Sequence, residues 1–124
     1  MVDAPHLPRQ VVIDSHRGGA FRFGGMSHRG SLLCLPDGVW AWNVGNPGEL
    51  TDEALAPVFA RAEALDFFIF GAGSAPWVAP QALRARFRAA NISFDAMTTG
   101  AGVRTYNVML LESRRVGAGL IAAD

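Results

Sequence analysis

The sequence predicts an α/β protein in two unequal styles, a β-rich stretch over residues 1–45 followed by alternating helices and strands. Three observations carry this prediction. Short alternating apolar segments before residue 45 are punctuated by glycine and proline turns. Leu55, Val58, Phe59, Ala62 and Leu65 then recur at helical spacing. Finally, Phe67-Phe68-Ile69-Phe70 is apolar without alternation, as in a strand covered on both faces.

Taken in order, residues 1–10 read as an extended or flexible lead-in, because Pro5 and Pro8 interrupt regular pairing. Gln10 to His16 is a strand candidate. Phe21 and Phe23 alternate with Arg22 and end at Gly24-Gly25, which predicts a half-buried strand closed by a turn. Ser31 to Leu35 is a short apolar run, Pro36-Asp37-Gly38 a turn, and Val39 to Val44 an alternating strand with Trp40 and Trp42 on one face. Thr51 is placed to cap a helix, with Asp52 and Glu53 at the positive end of its dipole and Pro57 an awkward member. The Phe67–Phe70 strand ends at Gly71-Ala72-Gly73. Pro80 opens a second helix with Leu83, Phe87 and Ala90 as its buried stripe, and Asn91 can close it in the left-handed conformation. Ile92 to Met97 is the next strand, so two parallel neighbours joined by a crossover are expected. Thr98 to Gly102 reads as a loop. Arg104 to Ser113 fits helix or strand by pattern, and Val116 to Ala122 is a final strand interrupted by Gly117 and Gly119.

Composition narrows the function classes. At 124 residues, half of them apolar and 18% charged, the chain is expected to fold as one complete domain over 1–124. Eleven acidic residues balance eleven basic ones, so no net field favours nucleic acid or an anionic membrane. Every basic residue is arginine, which excludes Schiff-base lysine chemistry and a Walker lysine. The lone Cys34 excludes an internal disulfide. No apolar run approaches the roughly 20 residues of a membrane span. No signal-peptide pattern opens the chain, so a cytoplasmic location is expected. Arginine-only basicity with many alanines and glycines suggests a GC-rich genome.

Candidate chemistry concentrates in two loops at the carboxyl ends of the expected parallel strands, where ligands of open α/β sheets bind. Gly71, Gly73 and Ser74 lie in one, and Thr98, Thr99 and Arg104 in or just after the other. Amides, hydroxyls and a guanidinium together suit an anion. The competing reading is that the glycines only allow turns and the threonines cap a helix. A dinucleotide site built on Gly71, Gly73 and Asp95 is weakened by Pro76 at the third glycine position and by a helix that starts only near Pro80. Ser74 lacks the flanking glycines of a nucleophile elbow, and Cys34 sits in an apolar strand. No metal-ligand spacing appears, although Asp14 and His16 could meet His28 across a turn. No catalytic residue, metal or cofactor is therefore assigned. Two surfaces suit a protein partner: Trp40 and Trp42, and the pair Arg84 and Arg88, one helical turn apart without a nearby acid. An exposed tryptophan face would also suggest a homo-oligomer.

The C-terminal half carries a resemblance. Gly71-Ala72-Gly73, Met97-Thr98-Thr99-Gly100-Ala101, Arg104-Thr105-Tyr106-Asn107-Val108 and Glu112-Ser113-Arg114-Arg115-Val116 resemble the family called domain of unknown function 498. Gly30-Ser31-Leu32-Leu33 and the Pro36-x-Gly38 turn extend the likeness upstream. This family includes a mitochondrial NADH dehydrogenase (complex I) assembly factor and small bacterial and archaeal proteins. The resemblance implies a single three-layer α/β domain with a mixed central sheet, ordered α-β-α-β-α-β after the β-rich half. It makes Arg104 to Ser113 a helix; Asn107 joins the candidate site, against the competing reading that Tyr106 and Asn107 are packing and capping groups and that Asp95 or Glu112 holds Arg104. It further implies no established enzymatic activity, and action by protein–protein contact with respiratory-complex assembly proteins. Many members carry alanine-cysteine where this chain has Gly102 and Val103, so a thiol role there is absent.

Overall fold

The computed structural model describes residues 4–123; the first three residues of the expected lead-in lie outside that range. Among the described residues, eight strands form two sheets. The smaller is an antiparallel meander of β1 (Ser15–Arg17), β2 (Ala20–Phe23) and β3 (Met26–Arg29). Gly18-Gly19 and Gly24-Gly25 make its two-residue turns with φ of 57° and 76°, and of 54° and 78°. Such turns need positive φ at both central positions, which glycine adopts without strain. The larger sheet has the order β5 (Gly38–Ala41), β4 (Leu32–Leu35), β8 (Val116–Leu120), β6 (Phe67–Gly71), β7 (Ser93–Met97). It is mixed: β4 runs antiparallel to β5 and β8, whereas β6 runs parallel to β8 and β7.

The unalternating run Phe67–Phe70 is thus an inner strand, and its side chains divide between two cores. Phe68 and Phe70 pack with Leu33, Leu35, Trp42 and Phe87 beneath helices α1 (Asp52–Phe59) and α2 (Gln81–Ala89). Ile69 joins Leu32, Cys34 and Leu120 on the opposite face, covered by Val103 and Tyr106 of α3 (Thr99–Leu111) and by Phe21 and Phe23 of the small sheet. The result is three layers. Thr51 caps α1, its hydroxyl accepting from the Ala54 amide, and Asn91 closes α2 at φ 59°.

Three expectations change. The strand expected over Gln10–His16 forms only from Ser15, because Gln10 to Asp14 is held chiefly against α3 and β8 by side-chain bonds. The first helical stripe stops at Phe59 instead of reaching Leu65. There Arg61 donates to the Pro57 carbonyl, and a short 3-10 turn (Ala62–Ala64) drops Leu65 into the core. The loop expected over Thr98–Gly102 is helix: Thr98 is its N-cap and α3 starts at Thr99. Glycine disfavours helix interiors, but Gly102 lies where a Cβ would sit 3.3 Å from the Gly71 Cα, so the two elements can approach only without side chains. Tertiary packing overrides propensity here. Among the described residues, no helix is long and apolar enough to cross a membrane.

Candidate functional site

The loops at the carboxyl ends of β6 and β7 do meet, but their polar groups serve one another. Thr99 is fully buried. Its hydroxyl donates to the Ile121 carbonyl at 2.7 Å and accepts from the Gly73 amide at 3.0 Å. The Thr99 amide in turn donates to the Gly73 carbonyl at 2.9 Å. Gly71 is buried against the start of α3, where a Cβ would stand 3.0 Å from the Thr99 Cα. Gly71, Gly73 and Thr99 therefore form an internal lock between β6, α3 and the chain after β8. The Gly73 and Thr99 amides are thus paired inside the fold and are not free donors for an anion. Ser74 is exposed beyond the lock, and the Thr98 side chain makes no capping bond.

Asn107 is taken up in the same way. Its amide oxygen accepts from the Ile13 N–H at 2.8 Å and its amide nitrogen donates to the Ile13 carbonyl at 2.7 Å. The side chain thus imitates a neighbouring β-strand and fastens the segment before β1 to α3. Directly before Asn107 in α3, the fully buried Tyr106 donates its hydroxyl to the Val11 carbonyl at 2.8 Å, and burial raises its pKa. Burial also pushes the adjacent Cys34 thiol up to about 12, leaving a neutral, unreactive group.

Arg104 differs from these. It is exposed and forms no ion pair among the described residues; Glu112 faces Arg114 at 3.7 Å instead. A Cβ built on Gly100 would stand 3.7 Å from the Arg104 Nη1 and 3.7 Å from the His16 Nε2, so the guanidinium and the imidazole both flank the first turn of α3. The His16 Nδ1 is buried without a hydrogen-bond partner. His16 enters this corner because β1 pairs with β2 in a register that sets it opposite Phe21, a placement no local pattern reveals. Asp14, His16 and His28 do not converge: His28 also faces Phe21, from β3, and lies 3.1 Å from the His6 Nε2. Asp95 is exposed on β7, and α2, the helix that follows the glycine turn, begins only at Gln81, so the dinucleotide arrangement lacks the helix that should start directly from Gly71-x-Gly73.

The two expected interaction surfaces fare differently. Trp42 is only 8% exposed, stands edge-on to Phe70 and donates its indole N–H to the Ala54 carbonyl at 3.1 Å. Trp40 is half-buried beneath Arg61, whose guanidinium lies 5.0 Å from its ring and pairs with Asp37. The pair is thus core and core margin, which removes the tryptophan argument for self-association. Arg84 and Arg88 are exposed on α2 and line a cavity of about 500 Å³ with Phe87, Asn91 and Phe94.

Comparison with known proteins places these features in context. The family described as protein of unknown function (DUF498/DUF598) matches residues 13–121. A structure from Rhodopseudomonas palustris, determined by NMR, shares 47% identity over 99% of this chain and 90% of its own, with a TM-score of 0.84. The crystal structure of a protein from Bartonella henselae, described there as an outer membrane protein, gives a TM-score of 0.91 at 38% identity over 96% of this chain and all of that one. The NADH dehydrogenase [ubiquinone] 1 alpha subcomplex assembly factor 3 of Mus musculus is 30% identical over 93% of this chain, which spans 62% of that protein.

Proposed function

Because the chain belongs to the DUF498/DUF598 family of proteins of unknown function, we propose that it works as a non-enzymatic protein, by protein–protein contact, in the assembly of a respiratory NADH dehydrogenase. One observation carries this reading: 30% identity to the mouse assembly factor runs through 93% of the chain. The residues that could have formed an anion cradle support it from the other side, since Gly73 and Thr99 hydrogen-bond each other and Gly71 packs against Thr99. The proposed location is the cytoplasm, next to the membrane that holds the complex. Because the chain spans 62% of the mouse factor, any task of that factor's remaining length is outside the proposal. The test is affinity capture from native membranes with the tagged full chain. NADH dehydrogenase subunits or their assembly proteins should be enriched over an unrelated tagged domain of similar size. Recovery of neither defeats the reading.

A second reading is small-ligand or anion binding by the loops at Gly71–Ser74 and Thr98–Arg104, with Arg104 as its cation and His16 beside it at the start of α3. Titration of the labelled protein with inorganic phosphate, nucleotides and small carboxylates would shift the Gly100 and Ala101 amides if it holds. Unmoved amides at millimolar ligand dispose of it.

A further inference from the structure

The two edges of the large sheet are finished differently. At β5, the segment before the small sheet lies alongside: the His6 N–H donates to the Val39 carbonyl at 2.7 Å and the Val39 N–H to the Leu7 carbonyl at 3.1 Å. At β7 no described strand or segment lies alongside. The outward groups follow from two bonds. The Ser93 N–H donates to the Asp66 carbonyl and the Met97 carbonyl accepts from the Ala72 N–H, so Ser93, Asp95 and Met97 turn their backbone toward β6. Alternation then aims the N–H and C=O of Phe94 and Ala96 outward, away from the sheet. Unpaired strand edges template the addition of another strand, and proteins that do not use them blunt them with charged side chains, proline, bulges or a cover. The five-residue β7 has no proline and a single charged residue, Asp95, and no described backbone pairs with its outer edge.

The ground beside this edge is basic on one face. Arg84 and Arg88 are exposed, and neither forms an ion pair among the described residues, whereas Arg86 between them is held by Asp52 and lies over Phe59. They line the cavity that reaches from α2 to Ser93 and Phe94. The side chains of Phe94 and Ala96 point to this α2 face, while Asp95 lies on the other. A strand added at β7 would therefore find guanidinium groups on the α2 side and a carboxylate on the α3 side. We propose that the open edge of β7, with Arg84 and Arg88 beside it, takes up an extended acidic segment of a protein partner as a sixth strand. Acidic residues at alternate positions would face α2, and residues that are not acidic would face Asp95. A second copy of this chain fits poorly: antiparallel pairing about Asp95 would bring two Asp95 carboxylates together.

The inference rests on the protein-contact reading for its biology but is tested without it. Isotope-labelled full chain is titrated with a blocked heptapeptide alternating glutamate and valine, and with its lysine-valine counterpart. The acidic peptide should shift the Phe94 and Ala96 amides and slow their exchange with solvent. The double variant Arg84→Glu/Arg88→Glu, whose side chains are exposed, should keep the remaining spectrum and weaken that binding at least tenfold. Equal response to both peptides, no response at millimolar peptide, or a concentration-dependent dimer joined at β7 would overturn the proposal. Membrane capture separates the two ideas. Respiratory proteins recovered equally by wild type and double variant refute the edge and leave the contact reading standing. Peptide binding without such recovery does the reverse.

Discussion

Replacing Asn107 decides whether that residue is a fastening or a site. In Asn107→Ala, the Ile13 N–H and carbonyl both lose their partner, and Ile13 is only 2% exposed. At a net worth of about 1 kcal/mol each, the two bonds together contribute about 2 kcal/mol. Alanine returns about 0.5 kcal/mol through better helix propensity within α3. The remaining loss of about 1.5 kcal/mol corresponds, for a domain of this length, to a melting temperature lowered by about 6 °C. Asn107→Asp sharpens the test. It keeps an acceptor for the Ile13 N–H but sets a carboxylate oxygen against the Ile13 carbonyl, so it should be no more stable than the alanine variant at neutral pH. Thermal unfolding followed by circular dichroism gives the magnitude, and hydrogen exchange at the Ile13 amide gives the location. A melting temperature unchanged within 1 °C, with Ile13 still protected, would refute the fastening role and return Asn107 to the candidate site.

Other perturbations probe the rest of the frame. Gly119→Ala places a Cβ against the Trp42 indole and 3.0 Å from the Phe68 ring, and should cost about 1–3 kcal/mol with a changed near-ultraviolet tryptophan signal. A neutral result would show that the indole is free to move. Cys34, buried with its thiol pushed up to about 12, should react with an aromatic disulfide reagent only as fast as the protein unfolds, and prompt labelling of native protein would contradict its burial. His28 titrates below its ordinary value, first because it is partly buried and then because His6 adjoins it. Protonation is therefore easier in the unfolded chain, so the protein should lose stability as pH falls below about 6.5 and hold it above. Denaturant midpoints measured from pH 8 to 5 should fall with acid in wild type, and less so in His28→Asn.

Local pattern was enough for the elements whose own residues decide them. The Phe67–Phe70 run could only be an inner strand, since both of its faces are apolar and each needs a covering layer. Thr51, Asn91 and the Pro36-Asp37 turn act within a few residues of themselves, so their roles were legible before any fold was known. The resemblance in the C-terminal half made Arg104 to Ser113 a helix, which pattern alone left open, and α3 covers that stretch as far as Leu111.

The site was less legible because its groups are paired across long stretches of chain. Gly71, Gly73 and Thr99 have the residue types of an anion cradle, and sequence cannot reveal that the Thr99 hydroxyl bridges to Ile121, 22 residues on. Asn107 reaches Ile13 across 94 positions, and His16 comes beside Arg104 only through the register of the small sheet. Gly100 and Gly102 argue locally for a loop, yet close packing of α3 on β6 makes them helix. What the sequence determined by itself was therefore the alphabet of the protein: an α/β order, a charge-balanced surface with arginine as its sole strong cation, and a family likeness. Which polar groups remain available for a partner was decided only in three dimensions, because a hydrogen bond formed inside the fold removes a donor or acceptor that composition still counts.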